Sequence, residues 1–256
     1  MAEIQIKTQK EIETMRKAGK ILANILFKLK KEIKPGLDVW ELEEQFIQLC
    51  IQNSVTPSCK GYGKWGQPPF PTGLCVSINS QSVHCFPKKG VVLKTGDNIS
   101  VDTVIDLDGL KADSAFCAPE GEVSEKAEKL IKTTQEALYN SISKVKHNSR
   151  VGAISEAMQK TVERAGFNVL KDYAGHGIGY FMHEEPEVSC YGNKNDGPKL
   201  KAGMTICIEA LVCAGKDKVK NLNEWETEMA DNDLFCIFEH TILVTKDGYE
   251  ILTTLN

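Results

Sequence analysis

The sequence lacks any apolar stretch approaching the ~18 residues of a membrane-spanning helix, so no span is expected in its 256 residues. It lacks an apolar signal core as well, because Met1-Ala-Glu-Ile-Gln-Ile-Lys7 mixes charges from the start. The expectation is a cytoplasmic protein with no membrane contact. A basic surplus is also missing. The net charge is −4 and the pI near 5.8, which leaves no excess of cations to neutralise phosphates and argues against a specific nucleic-acid partner. Nine cysteines are present, at 50, 59, 75, 85, 117, 190, 207, 213 and 236, yet no two form a Cys-x-x-Cys pair. That pattern excludes a zinc finger and argues against a disulfide framework, so reduced core thiols are expected. There is no low-complexity segment and no evident linker.

What the chain does hold is ordinary globular material, 41% hydrophobic and 26% charged. Thr8-Gln-Lys-Glu11 reads as a capping box, followed at helical spacing by Ile12, Met15, Ile21, Leu22, Ile25 and Leu29, until Pro35-Gly36 stops the helix. Asp38 caps a second helix with Val39, Leu42, Phe46, Leu49 and Cys50 inward. The period then changes, and Leu74–Asn79 and Asn98–Leu107 read as strands. The second half repeats the order. Ser124 starts a helix through Ala127, Leu130, Ile131, Leu138, Ile142 and Val145, and another runs from about Val151 to Ala165. A shift of 112 places sets Val39 on Val151, Leu42 on Ile154, Phe46 on Met158 and Cys50 on Val162, with few identities. We expect one domain over 1–256 with two related α+β halves, about 8–120 and 121–252. Later strands are Met204–Val212 and Leu234–Val244. The segment Gly61–Gly73 is too rich in Gly and Pro for regular structure. Its Tyr62, Trp65 and Phe70 form either a cleft wall or a plain surface connection.

Asp108-Gly109 reads as a two-residue hairpin turn, which pairs Val104 with Asp113. Asp102 lies two residues from Val104 and so projects from the same face as Asp113. Such a pair is either two ordinary aspartates on a solvated face or, in a core, a cation site. His176, Glu209 and Glu239 each stand in an otherwise apolar or Gly-rich segment. Four carboxylates and one imidazole are the ligand set of a two-metal hydrolytic site. Each half contributes two of the carboxylates, which puts a substrate cleft on the seam.

Several segments together resemble the type I methionine aminopeptidases, from about Ile6 to Leu252. They are Cys75-Val-Ser-Ile-Asn79 with His84, Val101-Asp102 to Asp113, Gly175-His-Gly-Ile-Gly179, His183-Glu-Glu-Pro186, Gly203-Met-Thr205 with Ile208-Glu209, and Phe238-Glu-His-Thr241. The resemblance implies an α+β "pita-bread" (creatinase/aminopeptidase) fold, two pseudo-symmetric halves around a dinuclear metal site. It implies hydrolytic removal of the N-terminal (initiator) methionine from nascent proteins whose second residue is small. By the same resemblance Asp102, His176 and Glu209 are terminal ligands, and Asp113 and Glu239 bridge two divalent ions. Oxygen-rich ligation with one imidazole suits Co, Mn, Fe or Zn. Glu209, His183 and His84 are the implied catalytic residues. Glu209 shuttles the proton, His183 contacts substrate around the scissile bond, and His84 lies near the leaving side. Cys59, Tyr62, Cys75 and Trp225 are the implied lining of the methionine site. The implied partners are nascent N-termini near the ribosome, met by a monomer.

On the residues alone, a histidine beside glycines is more often structural, and Tyr and Trp beside cysteines are equally ordinary core. His240 faces away from the ligands by strand alternation, and His147 reads as a cap or surface group. Departures from the family pattern are Lys111-Ala112 for the usual His-Gly, Met182 for phenylalanine, Ala210 for proline, Ile237 for glutamine, an altered Asn232–Cys236 segment and a longer loop at 63–73. None touches an expected ligand. The absence of an N-terminal zinc-finger region favours the bacterial or organellar form. The alternatives are a prolidase or X-Pro aminopeptidase on the same fold, which usually adds an N-terminal domain, and a metal-free binding homologue.

Overall fold

The computed structural model describes residues 4–63 and 66–255. Trp65, named above with the cleft wall, lies outside them. Helix α1 (Gln9–Glu32) starts on the capping box: the Thr8 hydroxyl accepts from Glu11 N–H, and the Glu11 carboxylate accepts from Thr8 N–H at 2.7 Å. It ends with Ile33 already extended, two residues before Pro35. Helix α2 (Val39–Gln52) is capped by the Asp38 carboxylate, which accepts from Trp40 N–H at 3.0 Å. Helix α3 (Glu125–Ile142) is capped by Ser124 and stops short of Val145, which stays buried because the following turn still faces the core. Helix α4 (Val151–Arg164) has no side-chain cap, and its bounds are those of α2 moved by the same offset found in the sequence.

The strands are β1 (Thr56–Pro57), β2 (Cys75–Ile78), β3 (Asn98–Leu107), β4 (Leu110–Pro119), β5 (Asn168–Val169), β6 (Ala174–Gly177), β7 (Glu184–Ser189), β8 (Thr205–Cys213), β9 (Val219–Asn221), β10 (Thr227–Met229), β11 (Phe235–Val244) and β12 (Tyr249–Ile251). One sheet runs β1-β3-β4-β11-β8-β6-β7, with β2 on β3, β12 on β11 and β5 on β8. A separate ribbon joins β9 to β10. The helices cover one face of the sheet. Ile99, Val101 and Ile105 of β3, Ile206 and Ile208 of β8, and Ile242 of β11 share a core with Leu22 and Ile25 of α1, Phe46 of α2, Leu138 of α3 and Met158 of α4. Full burial of each such side chain is worth about 1.5–3 kcal/mol, which makes this layer the main source of stability.

The other face is left to a second, smaller cluster that includes Cys59, Phe70, Cys75, Val104, Met182 and Cys207, with Tyr62 and Trp225 packed against it. Glu43 of α2 reaches toward this side. Its buried carboxylate accepts from Gly73 N–H at 2.8 Å and Leu74 N–H at 2.9 Å, anchoring the end of the Gly/Pro-rich segment. Burial pushes its pKa up, partly offset by those two bonds. A side chain at Gly73 would run into the Phe46 ring, so only glycine permits this approach. All nine cysteines are free and buried. Among the described residues no helix is long and apolar enough to cross a membrane.

Candidate active site

The site follows from strand register. Asp108 and Gly109 both have positive φ, 53° and 85°, the signature of a type I′ turn. That turn closes Leu107 on Leu110 and sets Val104 opposite Asp113 and Asp102 opposite Ala115. On the next pair Ala115 faces Glu239, and on the next Glu239 faces Glu209. On the other side Cys75 faces Asp102. Directly opposed residues point to the same side of a sheet, so one row across five strands reads Cys75, Asp102, Ala115, Glu239, Glu209. Asp113, two residues from Ala115, projects beside it. Four carboxylates therefore converge above the one small side chain of the row.

His176 comes from β6, at an irregularity in its pairing with β7 between Gly175 and Gly177. Bulges of this kind re-aim a side chain. A Cβ on Gly175 would collide with the Cys207 carbonyl, and one on Gly177 with the Glu185 carbonyl, so both flanking residues must be glycine. The His176 Nδ1–H donates to Gly177 O at 2.9 Å, and Nε2 lies 3.8 Å from Asp113 Oδ2. Burial, then the neighbouring His183, pushes the imidazole down to about 3. It is neutral, with the Nε2 lone pair turned toward the carboxylates, which is the state a metal ligand needs.

Cys207 was placed by the sequence only among the core cysteines. The structure puts it in the floor of this site: Asp113, His176, Cys207 and Glu239 each offer one ligand atom within 4.8 Å of the others. Its position two residues from Glu209 on β8 was the available signal. Burial, then Glu239 and Asp113, pushes its thiol well up, so it stays protonated. Its Sγ lies 3.8 Å from the Thr241 hydroxyl.

Charge of one sign is crowded here. Burial raises Asp102 to about 7, partly offset by a hydrogen bond with Asp113, and raises Glu209 to about 8, helped by Asp102. Asp113 and Glu239 are pushed well above the usual carboxylate range, by burial first and by their carboxylate neighbours next. Asp113 Oδ1 and Glu239 Oε1 are fully buried and accept no hydrogen bond. Buried oxygens without donors are costly. An oxygen-rich set with one neutral imidazole fits divalent cations, and those two oxygens are where a cation would compensate.

A pH dependence follows for the metal-free protein. Its unfolded chain releases these protons near the ordinary values of 3.8 and 4.5, whereas the folded chain keeps them until about 7 to 8. The unfolded state then binds fewer protons across that window, so stability falls as pH rises. The metal-free Tm should drop between about pH 5 and pH 8. Protein loaded with Mn should show a smaller drop or a rise, because cations bind the deprotonated carboxylates. A metal-free Tm that rises over this range would contradict the assignment.

A cavity of about 570 Å³ opens above the row. Its walls hold each residue named from the sequence: Asp102, Asp113, His176, Glu209, Glu239, His84, His183, Cys59, Tyr62, Cys75 and Trp225. Phe70 joins them, edge-on to Trp225 at 5.3 Å and to Phe86 at 5.9 Å, while Trp225 Nε1–H donates to Pro68 O at 2.9 Å. Through Tyr62, Gln67 and Phe70, the described residues of this segment form a wall of the cavity, clasped to Trp225. Tyr62 OH lies 3.0 Å from His183 Nδ1, and the His183 ring stands 4.4 Å from that of His176. His84 holds a positive φ of 61° and sits edge-on to Tyr173 at 5.2 Å. Burial, then His183, lowers it to about 4, so it is neutral. Tyr173, Met182 and the polar rim Asn221, Asn223 and Glu224 also line the cavity. Tyr173 and the rim carry no motif that marks them in the sequence.

The remaining histidines lie elsewhere. His240 turns to the helix face, with Nδ1 3.0 Å from the Thr253 hydroxyl and Nε2 3.4 Å from Tyr139 OH. His147 stands beyond the end of α3 rather than on it, and accepts from Ala202 N–H at 3.2 Å.

Carboxylates crowded over one sheet, a neutral imidazole and an adjoining aromatic cavity are the parts of a metallohydrolase, and the chain belongs to metallopeptidase family M24, whose sequence profile matches residues 13–246. It is 41% identical to the methionine aminopeptidase of Clostridium perfringens over 254 residues, 98% of this chain and 99% of that one. The crystal structure of methionine aminopeptidase from Thermotoga maritima superposes with a TM-score of 0.95 at 39% identity, covering 99% of this chain and 100% of the other. A prolidase from Pyrococcus furiosus reaches a TM-score of 0.77 at 21% identity, covering 98% of this chain and 66% of that one, and so shares the fold alone. The α+β pita-bread fold expected from the sequence is therefore the fold of this chain.

Proposed function

We propose that the protein is a metal-dependent methionine aminopeptidase, hydrolysing the first peptide bond of nascent proteins that begin with methionine and a small second residue. The observation that carries this reading is the carboxylate row beside an apolar, aromatic-walled cavity. Asp102, His176 and Glu209 would each hold one of two divalent ions, Co, Mn, Fe or Zn. Asp113 and Glu239, each with a buried oxygen lacking a partner, would hold both. When bound, such ions supply Lewis acidity and lower the pKa of water. The Glu209 carboxylate takes a proton from the attacking water and passes it to the leaving amine. The Tyr62 hydroxyl, 3.0 Å from His183 Nδ1, fixes the ring and leaves Nε2 to meet the substrate around the scissile bond. His84 borders the leaving side. The thioether of methionine packs against Trp225, Tyr62, Phe70, Cys59 and Cys75, a soft side chain on aromatic faces.

In this reading residues 1–256 form one catalytic domain. Its halves, about 8–120 and 121–252, each bring a helix pair and two carboxylates, supported by the matching bounds of α2 and α4, and the site lies on the β4–β11 seam. The protein works as a monomer in the cytoplasm near the ribosome, where its substrates emerge.

The test adds Mn, Co, Fe and Zn in turn to chelated protein and follows Met-Ala-Ser and Ala-Pro peptides. We expect no turnover without metal and cleavage of Met-Ala-Ser with it. Full turnover without metal would refute the metal assignment, and cleavage confined to Ala-Pro would make the protein a prolidase.

A further inference from the structure

The turn 178–183 joins β6, which carries His176, to β7, and brings His183 into the cavity. Ile178, Gly179 and Met182 are buried, while the tip between them is outlying, with Phe181 71% and Tyr180 46% exposed. The backbone of that tip is held by polar contacts. Gly179 O accepts from Lys111 N–H at 2.9 Å, and Tyr180 O accepts from Lys111 Nζ at 2.8 Å. Lys111 Nζ is 2.8 Å from Asp106 Oδ2, and Asp106 Oδ1 accepts from Gly109 N–H at 2.8 Å in the hairpin turn. One lysine thus ties the β3–β4 turn to two consecutive carbonyls of the loop. On the opposite flank the Lys7 side chain lies against Gly179 and pairs with Glu184, whose other oxygen accepts from Phe181 N–H at 3.0 Å.

Lys111 and Asp113 are two residues apart on β4 and project from the same face. A single strand therefore carries a carboxylate of the metal site and the brace of the loop that ends in His183. The backbone bond from Lys111 survives substitution by any residue but proline, so what the side chain adds is the charged donor to Tyr180 O and its tie to Asp106.

We infer that Lys111 is a positioning residue for the hydrolysis, holding His183 at its working distance from the carboxylates. The inference rests on the aminopeptidase reading and on the role given there to His183. Small misplacements of a contacting group cost heavily in rate, up to about 10²-fold for an ångström.

The experiment compares wild type, Lys111→Met, Lys111→Arg, His183→Ala and the Lys111→Met/His183→Ala double variant on Met-Ala-Ser, with metal content measured on each preparation. Methionine keeps the aliphatic stem and loses the donors, while arginine keeps charge and donors. We expect Lys111→Met to lower kcat roughly 10-fold with KM and metal content little changed, and Lys111→Arg to recover most of the loss. In the His183→Ala background the same substitution should cost nothing further, since a residue acting through His183 has nothing left to position. Losses that multiply in the double variant, or a Lys111→Met enzyme at wild-type kcat, would overturn the inference. If Lys111→Met does not fold, Asp106→Asn loosens the same Nζ and should lower kcat in the same non-additive way, and additive loss there overturns the inference equally. A wild-type protein that fails to cleave Met-Ala-Ser would instead overturn the aminopeptidase reading.

Discussion

Asp113→Ala and Glu239→Ala should each lower turnover of Met-Ala-Ser by roughly 10³-fold or more, the scale of losing several kcal/mol of metal-supplied stabilisation. Both residues are buried and each carries an oxygen without a hydrogen-bond partner. In the proposed dinuclear site, truncating either would leave the remaining carboxylates unable to compensate two adjacent cations. The measurement is kcat together with metal bound per chain on the same preparation. Wild-type turnover with two ions bound would remove the bridging roles. The same crowding sets an opposite expectation for the stripped protein. Burial and like charge push Glu239 well up, so the metal-free fold works against its own site. Glu239→Gln should therefore melt above wild type when both are metal-free, and below it when wild type is loaded with Mn.

His183→Ala should keep its metal and melt near the wild-type temperature, yet lose roughly 10²-fold in kcat, the usual scale for a positioned donor or acid–base contact. The side chain is exposed to the cavity rather than packed in the core, so its removal leaves no buried void. Its contact with Tyr62 OH orients the ring. KM should change less, because a contact made mainly in the transition state does little for the ground state. Activity near wild type would return His183 to a structural role. A large loss of metal or stability would assign the effect to the fold.

Local features of this fold were legible because each rests on a few neighbouring residues. The Thr8–Glu11 box, the Asp38 and Ser124 caps and the Asp108-Gly109 turn all stand where the sequence puts them. The turn also set the register that pairs Val104 with Asp113. Convergence of Glu209 and Glu239 with that hairpin was different. It depends on β11 meeting β8 and on β4 meeting β11, the latter a pairing across more than a hundred residues that no local pattern specifies; the sequence marks these residues by their apolar or Gly-rich settings, and the resemblance to a known family implies their arrangement. Tyr173 and the polar rim of Asn221, Asn223 and Glu224 carry no such local mark, because their place is decided by tertiary packing, whereas strand alternation from Glu209 puts Cys207 on the ligand side. Short strands such as β1, β5 and β12 were missed because two or three residues carry no readable period.

The row across the sheet holds one position with no chemistry at all. Ala115 stands between Asp102 and Glu239, pointing the same way as both. Its methyl leaves room between the two carboxylates that flank it in the row. A valine there would take up volume between the carboxylates that the proposed ions need, in a strand that would otherwise welcome it. The capacity of this protein to be an enzyme is thus bounded by a vacancy as much as by its ligands, and a change that improves the strand as a strand would be the one to silence it.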